Sequence, residues 1–278
     1  MKRNIKNRLA FSMLEVVFVI AILGIVASIG AEVIAKVYEN YIVQRAQHRS
    51  SIKTQLAMNQ IANRLRYAIP GTIIRRVGKT GTPELATETM TIDASGESYT
   101  VLQWVASDGD SFEAISSSTS SGAARRPGWS GFCDIDASDS DTIDTPGSNF
   151  TLTNTIQSNL GGTGSFAIYF PHDPTAHMGT GAGQTITLDA NTTRIVERYK
   201  LAWTSYALVV EDGDLLLYSN FSPVTGAAIG TTSSLLLKNV TNFKFETRGQ
   251  TTRFKLCVEE NIGEGNNTIP SCKEKAIF

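Results

Sequence analysis

The side chains best placed to do chemistry in this 278-residue chain are one carboxylate, three thiols and a run of aspartates. Glu15 stands inside an apolar stretch, between Phe11–Leu14 and the uncharged Val16–Ala31. An acid at the centre of a membrane helix costs roughly 2.5–3.5 kcal/mol on insertion scales, so Glu15 needs a cationic partner or a function. Cys133, Cys257 and Cys272 form no Cys-x-x-Cys pair and no Cys/His box, which speaks against a zinc site. Cys257 and Cys272 enclose 14 residues and are expected to pair, leaving Cys133 free; spacing alone does not fix connectivity. Asp134, Asp136, Asp139, Asp141 and Asp144 place five carboxylates within eleven residues. Hard oxygen ligands at that density can hold Ca²⁺, with Asp134, Asp136, Asp139 and Asp141 as the candidates. The Gly and closing Glu of an EF-hand loop are missing, so a solvated acidic loop is the expectation. His172 and His177 lack a third ligand nearby, and there is no nucleophile elbow, phosphate loop or His-Glu-x-x-His. An enzyme is not indicated, and no resident cofactor is expected.

These groups must be positioned by a chain of uneven composition. It is 41% hydrophobic and 18% charged with a formal net charge of −1, which argues against disorder and against nucleic-acid binding through bulk charge. Its first ten residues carry four charges, Lys2, Arg3, Lys6 and Arg8, all positive. A short basic leader before a mildly acidic body looks like an exported protein. The sixteen uncharged residues Val16–Ala31 fall just short of the roughly 17–25 that span a bilayer, and reach that length only when Phe11–Leu14 are included. A cleaved secretory signal fits poorly, because the apolar run passes through Glu32 and Lys36 with its helical pattern unbroken. By the positive-inside rule the N-terminus is cytoplasmic and the body lies across the membrane.

Ala10-Phe11-Ser12-Met13-Leu14-Glu15 followed by an apolar helix resembles the N-terminus of type IV prepilins, usually Gly-Phe-Thr-Leu-Ile-Glu. That family includes major and minor pilins and the pseudopilins of type II secretion and DNA uptake. The resemblance covers about the first 35 residues, with Ala10 in place of the usual Gly and Ser12 and Met13 in place of commoner residues. It implies that a membrane prepilin peptidase cuts between Ala10 and Phe11 and methylates the new Phe11 amine. It implies also that Glu15 pairs with the Phe11 amine of a neighbouring subunit and so sets register during assembly. Some pseudopilins bind calcium, which is the family's bearing on the aspartate run. The implied partners are other pilin or pseudopilin subunits, the peptidase and the inner membrane; no direct nucleic-acid contact is expected. The body is implied to lie in the periplasm and then in a filament.

No proline occurs from Phe11 to Ile69, and Pro70-Gly71 stops the pattern. A continuous helix over those 59 residues would be roughly 88 Å long. Met58, Ile61, Ala62, Leu65 and Ile69 mark one apolar face in its second half, expected to pack on the chain's own globular domain. Arg45, Arg49, Lys53, Arg64 and Arg66 take much of the remainder, as a solvated basic side or one that meets acidic neighbours or phosphates. After Pro70 the composition turns to Ser, Thr and Gly. Strands are expected at Tyr99–Val105, Phe166–Phe170, Thr185–Leu188, Arg194–Leu201, Tyr206–Val210, Leu215–Ser219, Phe243–Thr247 and Phe254–Val258. Asp212-Gly213 reads as a hairpin turn, and Ser116–Gly122, Asn159–Ser165 and Gly179–Gln184 as loops. The expectation is an α+β chain: a basic leader 1–10, a long helix 11–69 with its membrane part at 11–35, and a mainly antiparallel β domain over 70–278. The segment Leu235–Thr247 is similar to the strand ladder of larger minor pseudopilins of the J type, which favours a minor over a major subunit. The expected function is thus a structural minor subunit of a pilus or pseudopilus that primes or caps assembly. The alternative is a membrane-anchored exported binding module that does not polymerise.

Five Asn-x-Ser/Thr triplets occur, headed by Asn149, Asn191, Asn220, Asn239 and Asn266; Asn191 and Asn266 also carry the acid two residues upstream that bacterial N-glycosylation prefers. The hypothesis is glycan at one or both, with Asn266 the leading target; an intact mass of native protein equal to the bare polypeptide removes it.

Overall fold

The structure, a computed structural model, describes residues 12–85, 99–116, 125–248, 251–262 and 268–277. The chain divides into two compact units, Met1–Arg49 with Glu260–Ile269 and Ser50–Glu259 with Pro270–Phe278. Helix α1 (Met13–Leu65) contributes to both. Among the described residues there follow β1 (Ile74–Arg76), β2 (Glu84–Leu85), β3 (Val101–Ala106), α2 (Gly109–Glu113), β4 (Thr142–Asp144), α3 (Phe150–Asn159), β5 (Phe166–Tyr169), β6 (His177–Ala182) and β7 (Thr185–Leu188). The chain continues through β8 (Lys200–Ala202), β9 (Thr204–Glu211), β10 (Asp214–Phe221), β11 (Ser233–Leu237), β12 (Val240–Arg248), β13 (Thr251–Asn261) and β14 (Thr268–Ile277). This is α+β: one long apolar N-terminal helix followed by antiparallel sheets.

The sheets are ordered β11-β10-β9-β3-β1-β2, β12-β13-β14 and β4-β7-β6-β5-β8. Periodicity explains the main core. Positions 57, 58, 61, 62 and 65 of α1 fall on one helical face, and Ala57, Met58, Ile61, Ala62 and Leu65 are all buried there. They pack with Leu102 and Trp104 of β3, Leu215 and Leu217 of β10, Phe243 and Phe245 of β12, and Phe254 and Leu256 of β13. In β3 all six residues are buried, because Val101 and Val105 face two further apolar clusters on the other side. Gln103 on that side donates from Nε2 to the Ala227 carbonyl at 3.0 Å.

The hairpin at Asp212-Gly213 forms as expected, with both residues at positive φ (50° and 80°) and Asp214 opposite Glu211. The helix is shorter than its sequence pattern. It ends at Leu65 because the backbone of Ala68 bridges Ala106 and the Ile69 N–H donates to the Val105 carbonyl at 2.9 Å, so the strand claims these residues. The expected strand Arg194–Leu201 is a strand only from Lys200, and Gly179–Gln184, expected as loop, lies largely in β6. Most of Ser116–Gly122 lies outside the described residues.

β3 and β9 are direct neighbours, Val101 facing Val209 and Ala106 facing Thr204, yet Ser107–Trp203 intervene in sequence. That insertion carries α2, α3 and the whole five-stranded sheet, and it has its own core of Phe150, Phe166, Ile168, Ile186, Leu188 and Leu201. Its β6 needs glycine for space. A Cβ on Gly181 would run into the Phe150 ring, which stacks on Phe166 at a centroid distance of 5.6 Å. Gly181→Ala is expected to cost about 1–3 kcal/mol through overpacking and to lower the melting temperature of the globular unit. Gly24→Ala, where the added atom meets nothing within 4 Å, is expected to leave that transition unchanged; equal melting of the two variants would contradict the packing argument.

Candidate functional site

Glu15 lies in the first turn of α1, its backbone N–H bonded to the Ser12 carbonyl at 3.0 Å. Every residue from Ser12 to Ile42 is exposed, including Phe18, Ile20, Leu23, Ile25 and Ile29. Helical geometry sends side chains to all azimuths, and over Val16–Ala31 none of them carries a charge, so the apolar surface there is not confined to a single face. The helix is long and apolar enough to cross a membrane, and none of its most apolar stretch is buried by the chain itself. Among the described residues Glu15 has no ion pair. The first ion pair along the helix is Lys36 Nζ with Glu32 Oε1 at 2.6 Å, both side chains exposed, and an exposed i,i+4 pair of this kind adds only about 0.3–0.5 kcal/mol. Ala10 and Phe11 lie outside the described residues.

The basic side of α1 is only in part solvated. Arg49 reaches Glu260 at 3.6 Å, and the Arg64 guanidinium sits 5.0 Å from the centroid of the Tyr206 ring.

Cys257 on β13 and Cys272 on β14 form a disulfide, and Cys133 is free and buried. The bond joins neighbouring strands of the three-stranded sheet, so it pins the edge strand β14 to the strand that supplies Phe254 and Leu256 to the core. Lys273 and Lys275 of β14 donate to Gln55 Oε1 and Asn59 Oδ1 of α1, each at 3.0 Å. The same strand is thus held to helix and sheet. Burial raises the Cys133 thiol above its ordinary range, outweighing the hydrogen bond with Ser138, which keeps it protonated and unreactive.

The aspartate run is a turn leading into β4. Asp134 Oδ1 accepts from the backbone N–H groups of Asp136 and Ala137 at 3.1 and 3.3 Å, and Asp134 bridges Asp144 across it. Asp134, Asp136, Asp139 and Asp141 are exposed, and no group of three or more His, Cys, Asp or Glu among the described residues converges to hold a metal ion. His172 takes a left-handed backbone (φ 60°) in an exposed turn, whereas His177 is half-buried on β6 beside Phe170. Burial lowers the His177 pKa, against the opposing pull of Asp173. The two imidazoles are not joined by a hydrogen bond or by a shared acid. Asn191 is exposed between β7 and β8, open to modification; Asn149 instead caps α3, and Asn266 lies outside the described residues.

One group escaped the sequence reading. Asp108 is 3% exposed and links three pieces of the insertion. Its Oδ1 accepts from the Ser111 N–H at 3.0 Å and its Oδ2 from Gln157 Nε2 at 3.4 Å, while its carbonyl accepts from Trp129 Nε1 at 2.8 Å. The Asp-Gly-Asp-Ser sequence at 108–111 is an N-cap signal, but nothing in it shows that the carboxylate is buried.

Comparison with protein-family models finds no match for this chain, and comparison with curated proteins and with solved structures finds none. The class defined by fold and site is therefore the one stated above: an α+β chain with one exposed apolar helix able to span a membrane.

Two predictions follow from these sites. Burial raises the Asp108 pKa more than its hydrogen bonds lower it. A raised folded-state pKa contributes stability that is complete below the ordinary carboxylate value of about 3.9 and is lost as pH rises through the folded value. Asp108→Asn removes that loss and offers an N–H to the unpartnered Gln157 Oε1. The variant's stability relative to the parent should rise as pH increases above the ordinary carboxylate value of about 3.9 in denaturant titrations; a pH-independent difference would contradict the assignment. Removing the disulfide by Cys257→Ser with Cys272→Ser should cost about 3 kcal/mol in the same measurement.

Proposed function

We propose that this chain is a structural minor subunit of a type IV pilus or of the related type II secretion pseudopilus, processed between Ala10 and Phe11 and assembled through α1. The observation that carries the reading is the fully exposed first part of α1, whose only charge from Ser12 to Ala31 is Glu15, close to the helix start. A lone carboxylate in an apolar setting favours whichever packing supplies a cation, because the unpaired charge is expensive. In this reading the Phe11 amine of a neighbouring subunit, freed by cleavage, supplies that cation. The helix bundle of a filament and the lipid bilayer both cover apolar surface on every side, so one segment serves as anchor before assembly and as shaft afterwards. In this reading the leader stays in the cytoplasm and the β-sheet body works in the periplasm, priming or capping the filament. The J-type resemblance over Leu235–Thr247 falls on β11 and β12, which supports a minor role.

Glu15→Ala tests the reading. Recovery of the chain in sheared filaments or in crosslinked subunit complexes should fall by on the order of tenfold, while its amount in the inner membrane stays the same. Unchanged incorporation and unchanged function would instead favour an anchored binding module that never polymerises.

A further inference from the structure

In the Ser50–Glu259 unit, the described aromatic side chains that remain exposed are Tyr67, Phe112 and Phe132, and all three border one cavity of about 550 Å³. Sequence alone scatters them over 66 positions; the fold gathers them where the inserted lobe meets the end of α1. Behind them the rings continue inward. Phe112 lies 4.8 Å from Trp129, and Trp129 lies 5.8 Å from Tyr199, centroid to centroid. Exposed rings grouped over a pocket are the usual anchors of recognition, since each brings much apolar area with little side-chain entropy to lose. The pocket volume is within the range that binding clefts occupy.

Charge narrows the occupant. Arg198 and Lys200 are exposed on the rim, and neither forms an ion pair with a described carboxylate. The Arg198 guanidinium instead lies 5.6 Å from the Phe132 ring centroid. His172 also borders the cavity, and the one carboxylate there, Glu113, already accepts from the Tyr67 hydroxyl at 3.5 Å. The complement is an apolar group carrying negative charge. Shape narrows it further. A second cavity of about 580 Å³ shares Tyr67, Ser107, Gly109 and Glu113 with the first and continues past Gln60, Asn63 and Ser234. A small molecule fills one of these spaces, whereas a polypeptide segment runs through both and finds amide and hydroxyl partners for its backbone in the second.

We propose that this trough docks an extended segment of a partner protein, one that inserts an apolar or aromatic side chain against Phe112 and Trp129 and sets a neighbouring carboxylate on Arg198 and Lys200. The proposal stands on the globular unit alone, so its failure leaves the reading of α1 untouched.

The test is selection of a random-peptide display library on the full chain in lipid nanodiscs, with counter-selection on empty nanodiscs. Enriched peptides should carry an apolar residue within a few positions of Asp or Glu. Their affinity should weaken at least about tenfold in Phe112→Ser and in the double variant Arg198→Glu/Lys200→Glu, both of which change exposed side chains and should melt as the parent does. Enrichment of basic peptides, no enrichment over empty nanodiscs, or binding indifferent to both variants would overturn the proposal. So would tighter binding of polygalacturonate fragments than of any selected peptide, which would make the trough a site for an acidic polysaccharide.

Discussion

The constraint on which everything else depends is apolar surface that the chain does not cover. Fifteen large apolar side chains between Met13 and Val37 stand exposed on α1. At about 1.5–3 kcal/mol for burying each, the unmet term is a few tens of kcal/mol. That exceeds the roughly 5–15 kcal/mol net stability of an ordinary domain. No local rearrangement of the described residues removes it, because the helix is apolar on all sides. Such a surface needs a cover of lipid or of other helices, and Glu15 is the one charge it holds before Glu32.

The second half of the same helix obeys the opposite rule. From Ser50 onward its buried positions lie on one face, and that face is the floor of the main core beneath two sheets. One sequence element therefore changes its hydrophobic pattern at the boundary between the two units. The buried Ser50 and Thr54 mark the transition: both are small, and Thr54 satisfies its hydroxyl on the Ser50 carbonyl at 2.8 Å. β14 then closes the far side of that core as an edge strand, with its disulfide to β13 and its lysines on α1. Into this frame the chain inserts a second lobe between β3 and β9, and the insertion brings distant aromatic residues to a common rim.

Much of this was legible in the residues. The helix, its apolar face at Met58, Ile61, Ala62 and Leu65 and the Asp212-Gly213 hairpin announce themselves through local spacing, and the Cys257–Cys272 pair is the expected one, although spacing alone does not fix it. What stayed hidden depended on tertiary context. β6 reads as loop because His-Met-Gly-Thr-Gly-Ala has two glycines, yet they are there for the close approach of Phe150 and of the β7 backbone. β14 contains Pro270 and a Lys-Glu-Lys run, poor strand formers that suit an edge, where charge and proline deter further pairing. The C-terminal end of α1 and the start of the strand expected at Arg194–Leu201 depart from the local pattern because β3 and the insertion compete for those backbone groups. Burial of Asp108 and convergence of Tyr67, Phe112 and Phe132 have no local signature at all.

In the proposed reading the mature chain starts at a processed Phe11, and Glu15 pairs with the Phe11 amine of a neighbouring subunit. The most direct measurement is the N-terminal residue and its mass, on the chain expressed with and without a prepilin peptidase. The account predicts a chain that starts at methylated Phe11 only when the peptidase is present. An intact Met1 under both conditions would contradict it, and the anchored binding module would then become the better description.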